Sequence, residues 1–215
     1  MIQLHATRKL FERLPLDEHG QLAITPRSQW LFEQPALADN PLSGWYGNLV
    51  TLQRRNCLLM VHEATRFPLV LPALTKPELA ELNDRFIDAF MNTLLKCGAE
   101  EAHLDAAHRH LRPLQVDTQC NRSAQSTLTR MKGDLEHYLW NTQVNIADLL
   151  GYGLGAWLAR SPCNVKDRGW LHPIPAMLEL LAILPRDENP AALDDEKPGE
   201  LPENVVSLEA YRHRS

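Results

Sequence analysis

No apolar run in this chain approaches the roughly eighteen residues that a membrane-crossing helix needs. The start, Met1-Ile-Gln-Leu-His5, lacks the basic stretch and apolar core of a secretion signal. Cysteine is sparse: Cys57, Cys97, Cys120 and Cys163 are scattered, and none belongs to a Cys-x-x-Cys pair. These absences lead to the expectation of a cytoplasmic protein with reduced thiols and no membrane contact. A strong charge of one sign is also missing. After Leu184 stand eight acidic and four basic residues, which leaves 19 acidic and 18 basic ones before it. A body so nearly neutral lacks the electrostatic footprint of a nucleic-acid binder, so any such contact must come from a local basic patch.

Signatures of catalysis are absent as well. Ser43, Ser123 and Ser126 stand in no Gly-x-Ser-x-Gly elbow, and no His-Glu-x-x-His occurs. Gly151-Tyr-Gly153-Leu-Gly155 lacks the Lys-Ser/Thr ending of a phosphate loop and lies inside an apolar helical pattern. Gly151 and Gly155, four residues apart, instead suggest an element packed closely on that helix. His103, His108 and His110 fall in one segment, but on a helix His108 would point away from the other two. The expectation is a solvated face, with no metal and no cofactor.

What is present is hydrophobic patterning. Ile2 and Leu4 alternate with polar neighbours as in a short strand, and Leu10, Phe11 and Leu14 share one face of a brief helix. Trp45–Gln53, Cys57–Glu63 and Phe67–Leu71 are β-prone runs, with a turn expected at Arg54-Arg55-Asn56. Pro68 cannot donate to a ladder, so its strand should start there or lie at an edge. Thr75-Lys76-Pro77-Glu78 is a capping box that opens a helix ending near Gly98. Further helices are expected over Glu100–Leu111, after Asn121-Arg122-Ser123, over Asn145–Arg160 and over Ala176–Leu184, with Leu114–Val116 as a possible return strand. The resulting class is α+β: a small antiparallel sheet, made of the N-terminal strand and a three-stranded meander, packed with helices and followed by a helical C-terminal half.

Composition changes at Pro185. Residues 185–203 hold four prolines and seven acidic residues, the profile of a disordered acidic linker. The expected organisation is one domain over residues 1–184, this linker, and a short peptide over residues 204–215. In that peptide Val205, Val206, Leu208 and Tyr211 are candidates for docking to a protein partner.

Gly44-Trp45-Tyr46-Gly47-Asn48-Leu49, the Arg54-Arg55 hairpin, Glu63-Ala-Thr-Arg66, and Asn121-Arg122-Ser123 followed by Met131 and Asp134 stand in a recognisable order. In that order the chain resembles a bacterial family, the domain of unknown function 6933, over roughly residues 1–140, with a weaker echo to Leu184. The resemblance implies a compact α+β fold and carries over no catalytic residue. The candidate working surface therefore comes from the residues themselves. Asn121, Arg122 and Ser123 open a helix, whose positive end with Arg122, Arg130 and Lys132 could hold an anion; Asn48, Arg54 and Arg55 would join it if the meander lies close. The same segment also reads as a plain helix cap. The leading expectation is a non-enzymatic macromolecular binding or regulatory protein. The alternatives are a small enzyme acting on a phosphate-containing substrate and a nucleic-acid-binding accessory factor.

Overall fold

Ile2, Leu4 and Ala6 point into one apolar layer while Gln3 and His5 point away from it, and this alternation makes β1 (Ile2–Ala6). The computed structural model describes residues 1–165 and 169–185. After β1 come two short helices, α1 (Arg8–Phe11) and α2 (Gln29–Glu33). The meander follows as β2 (Trp45–Leu52), β3 (Arg55–His62) and β4 (Pro68–Leu71). Then come α3 (Lys76–Ala80), α4 (Leu82–Lys96), α5 (Glu101–His110) and β5 (Leu114–Asp117). The remainder comprises α6 (Arg122–Thr142), a 3₁₀ turn (Ile146–Asp148), α7 (Gly151–Ala159), a hairpin of β6 (Cys163–Val165) and β7 (Gly169–Leu171), and α8 (Pro173–Ala182).

The α+β class holds, but the sheet differs from the expected antiparallel one. Its five strands run in the order β4-β3-β2-β1-β5. β2, β3 and β4 are antiparallel to one another, whereas β1 pairs parallel with both β2 and β5. The reason is the connection between β1 and β2: Thr7–Gly44 is long enough to cross over and return the chain in the same direction. β4 begins at Pro68 on the sheet edge, where a residue without N–H is tolerated. The hairpin turn falls at Gln53-Arg54, one residue earlier than expected. Both residues adopt positive φ, 44° and 65°, as a two-residue turn between twisted strands requires, and Arg55 pairs with Leu52.

Four other expectations change. The helix opened by Thr75 breaks at Glu81 into α3 and α4, and the segment expected as one helix over Asn145–Arg160 is a 3₁₀ turn followed by α7. The last helix begins at Pro173, ahead of the expected Ala176, and includes Pro173 and Pro175, since proline fits a first helical turn. The C-terminal half also contains the β6–β7 hairpin, so it is not purely helical. The expected peptide over 204–215, and the expected linker apart from Pro185, lie outside the described residues.

Helices cover both faces of the sheet. Ile2, Leu4, Trp45, Leu58, Met60, Leu69 and Leu114 face a cluster with Phe86 and Phe90 of α4 and Met177 of α8. Tyr46, Val50, Leu59, Val61 and Val70 face a second cluster with Leu128, Met131 and Leu135 of α6 and Leu154 and Leu158 of α7. This second cover draws on β2, β3 and β4, and includes no residue of β1 or β5. Gln3, His5, Gln115 and Asp117 occupy that part of the face.

Candidate functional site

Two surfaces emerge from this architecture, one polar and one apolar. The polar one is a row across the sheet. His5 stands beside Asp117 on one side and Tyr46 on the other, because β1 pairs in register with both neighbouring strands. His5 Nδ1 lies 2.7 Å from Asp117 Oδ1, and Gln3 Nε2 donates to Asp117 Oδ2 at 2.9 Å. The His5 ring is 4.7 Å from that of Tyr46. The Tyr46 hydroxyl donates to Glu63 Oε1, which also accepts from Asn121 Nδ2. Burial, with the Glu63 charge beside it, raises the Tyr46 pKa and keeps the phenol protonated. One step along the strands, Thr7 donates its hydroxyl to Asn48 Oδ1 at 3.2 Å.

The start of α6 is thereby tied to the sheet. Asn121 accepts from the backbone N–H groups of Ser123 and Ala124, so it is the N-cap and engages donors that an anion would use. Ser123 accepts from buried Arg66 at 3.0 Å. Arg122 is exposed. Arg130 donates to the Cys163 thiol at 2.8 Å, and burial raises that thiol's pKa. Asn121 and Ser123 therefore meet the sheet together at Glu63 and Arg66, while Asn48 bonds Thr7 farther along β2.

Arg54 and Arg55 do not join them. Gln53, beside them in the hairpin, bonds Val144 and Ile146 just beyond the C-terminal end of α6, whereas Glu63 and Arg66 meet its first turn. A 21-residue helix, on the order of 30 Å long, separates the two ends. The three histidines of α5 are engaged separately. His103 accepts from the Glu100 N–H, His108 stacks on Trp30, and His110 is buried against the Ala106 carbonyl.

The apolar surface lies where α6 meets α7. Leu149, Leu150, Leu154 and Trp157, with Tyr138 from α6, line an open groove of about 390 Å³. Leu150 is 61% exposed and Trp157 38%, with the Trp157 ring 5.1 Å from that of Tyr138. Asp148 is the charged residue of the lining. Two glycines set the depth of α7. A Cβ on Gly151 would lie 2.1 Å from the Val70 carbonyl oxygen, and one on Gly155 would crowd Thr93 and the Pro68 carbonyl, so α7 sits directly on β4 and α4. Gly153 faces the groove with nothing within 4 Å of such a Cβ.

The sequence singled out Asn48 and the α6 cap as candidates and passed over Gln3, His5, Asp117, Glu63 and Arg66, which the structure sets beside them or along the row. The signal for the first three was present: polar residues alternate with apolar ones in both β1 and β5, marking a face that meets no helix.

A family model described as a domain of unknown function, DUF6933, matches residues 3–176. The match takes in the polar row, α6, α7 and the start of α8, and reaches beyond the region where the resemblance was most evident. Comparison with curated proteins and with solved structures gave no match.

Proposed function

The chain belongs to the bacterial DUF6933 family, domains of unknown function, and from this premise we propose that it is a protein-binding module whose α6–α7 groove receives the apolar face of a partner helix. The observation that carries this reading is the shared exposure of Leu150 and Trp157 around one groove. Single exposed apolar residues are ordinary, but two large ones flanking a concave lining with Tyr138 are what an interface core needs. A groove of this size accepts two or three side chains from an amphipathic helix. Asp148 in its wall favours a cation next to those anchors, so the fitting segment is apolar with a Lys or Arg beside it.

The test is a selection of helical peptides from a random library on the full chain, followed by titration of the winners. Peptides with apolar anchors and an adjacent cation are expected. Trp157→Ala should weaken them by roughly 2 kcal/mol, as hot-spot truncations do, and Leu150→Asp should abolish binding without unfolding the protein. Winners that bind wild type and both variants equally would refute the groove.

A further inference from the structure

The polar row carries a separate inference, independent of the groove. It lies at the carboxyl ends of the neighbouring parallel strands β1 and β5, from which the chain departs to opposite faces of the sheet, into α1 on one and α6 on the other. In open sheets a point where neighbouring strands send their connections to opposite faces is where ligand crevices form. His5 is only 8% exposed, and Asp117 binds its Nδ1 while Gln3 holds the other carboxylate oxygen. The backbone N–H of Gln119 also donates to Asp117 Oδ1, so the carboxylate is fixed from three directions. Its effect is to orient the imidazole and fix its tautomer, with hydrogen on Nδ1. Nε2 makes no hydrogen bond among the described residues. This is the arrangement of a general base: an oriented ring, a carboxylate behind it and a lone pair left over.

The neighbouring groups narrow the chemistry. Asn48, on the same face one step along β2, spends its carbonyl oxygen on Thr7 and leaves its amide NH₂ unbonded among the described residues. That NH₂ is a donor suited to an oxygen on which negative charge develops. A polar groove of about 490 Å³ adjoins the row at Gln3 and Asp117, and Asp17, Glu18 and His19 also line it, so carboxylates outnumber the one imidazole. With these carboxylates at hand a phosphate dianion is repelled, whereas a carbonyl that becomes charged only during reaction is not.

We propose that His5, positioned by Asp117 and assisted by Asn48, hydrolyses neutral or cationic carboxylic esters. His5 Nε2 takes a proton from water as the water oxygen bonds to the carbonyl carbon. Asn48 donates to the resulting oxyanion, and the imidazolium is balanced by Asp117. Collapse breaks the carbon–oxygen bond to the leaving group, which receives the proton from Nε2, and a carboxylic acid and an alcohol depart.

The experiment measures hydrolysis of p-nitrophenyl acetate and of p-nitrophenyl phosphate, a dianion near neutral pH, by the full chain. The acetate should turn over and the phosphate should not. His5→Gln should lower kcat roughly hundredfold, the usual contribution of a general base. Asp117→Asn should lower kcat at unchanged KM, which a merely structural defect would not do. Asn48→Ala should cost roughly a hundredfold, as loss of one oxyanion donor does. A wild type with no turnover of the acetate, or a His5→Gln variant as active as wild type, overturns the proposal. Should His5→Gln fail to fold by circular dichroism, diethyl pyrocarbonate labelling of the wild type decides. Activity lost in proportion to label on His5 supports the assignment; full activity with His5 labelled, or loss with His5 unlabelled, overturns it.

Discussion

At His62 a polar side chain does structural work inside the apolar layer. It is fully buried against Trp45; its Nδ1 meets the Thr65 hydroxyl and its Nε2 meets the Ser43 carbonyl. Both ring nitrogens are therefore engaged with the imidazole neutral, donating from Nε2 to the carbonyl and accepting at Nδ1 from the hydroxyl. Burial lowers its pKa to about 4, against 6.5 for the free side chain. The unfolded chain thus takes up a proton near pH 6.5 and the folded one only near 4. Between those values the unfolded state holds more protons, so stability rises with pH and falls on acidification. The contribution, complete above pH 6.5, amounts to roughly 3 kcal/mol and is gone by pH 4. Urea unfolding of wild type and His62→Gln across this window should show a steeper pH dependence for wild type. Parallel curves would remove His62 from the acid response.

At the scale of elements, α7 is governed by its glycines. Gly151→Ala would drive a methyl into the Val70 carbonyl, so α7 must lift from β4, and a loss of about 2–3 kcal/mol is expected. Gly153→Ala meets open space, and better helix propensity should stabilise the protein by up to about 1 kcal/mol. Thermal melts of the two variants check this opposition of sign. The spacing of Gly151 and Gly155 in an apolar run already indicated close packing, because glycine in a helix needs compensation. The capping box at Thr75 and the edge position of Pro68 were legible for the same reason: each follows from local backbone chemistry. What could not be read was the break at Glu81, since no local signal marks it. Strand direction was equally hidden. Ile2 and Leu4 alternate identically in a parallel or antiparallel strand, and the choice is made by where Thr7–Gly44 travels. The candidate site shared this limit. Asn121 was visible as a cap, whereas the meeting of His5 with Asp117 depends on a pairing 112 residues apart in sequence.

For the whole molecule, the sheet divides into local and distant halves. β2, β3 and β4 join through short turns, while β1 must find β2 across Thr7–Gly44 and β5 across most of the body. Loop closure penalises the distant pairings, so the meander should form first and the β1–β5 seam last. Leu58→Ala in β3 should therefore slow folding, and Leu114→Ala in β5 should chiefly speed unfolding, each costing about 2–5 kcal/mol overall. Stopped-flow chevrons distinguish the two, and a slowed folding limb for Leu114→Ala would reverse the order. The parallel seam has a further consequence during synthesis. β1 leaves the ribosome before its partner β5, which follows by more than a hundred residues, on the order of ten seconds at ordinary translation rates. For that interval Ile2 and Leu4 have no sheet to enter on the β5 side, so the growing chain carries a sticky strand that a holding chaperone is well placed to shield.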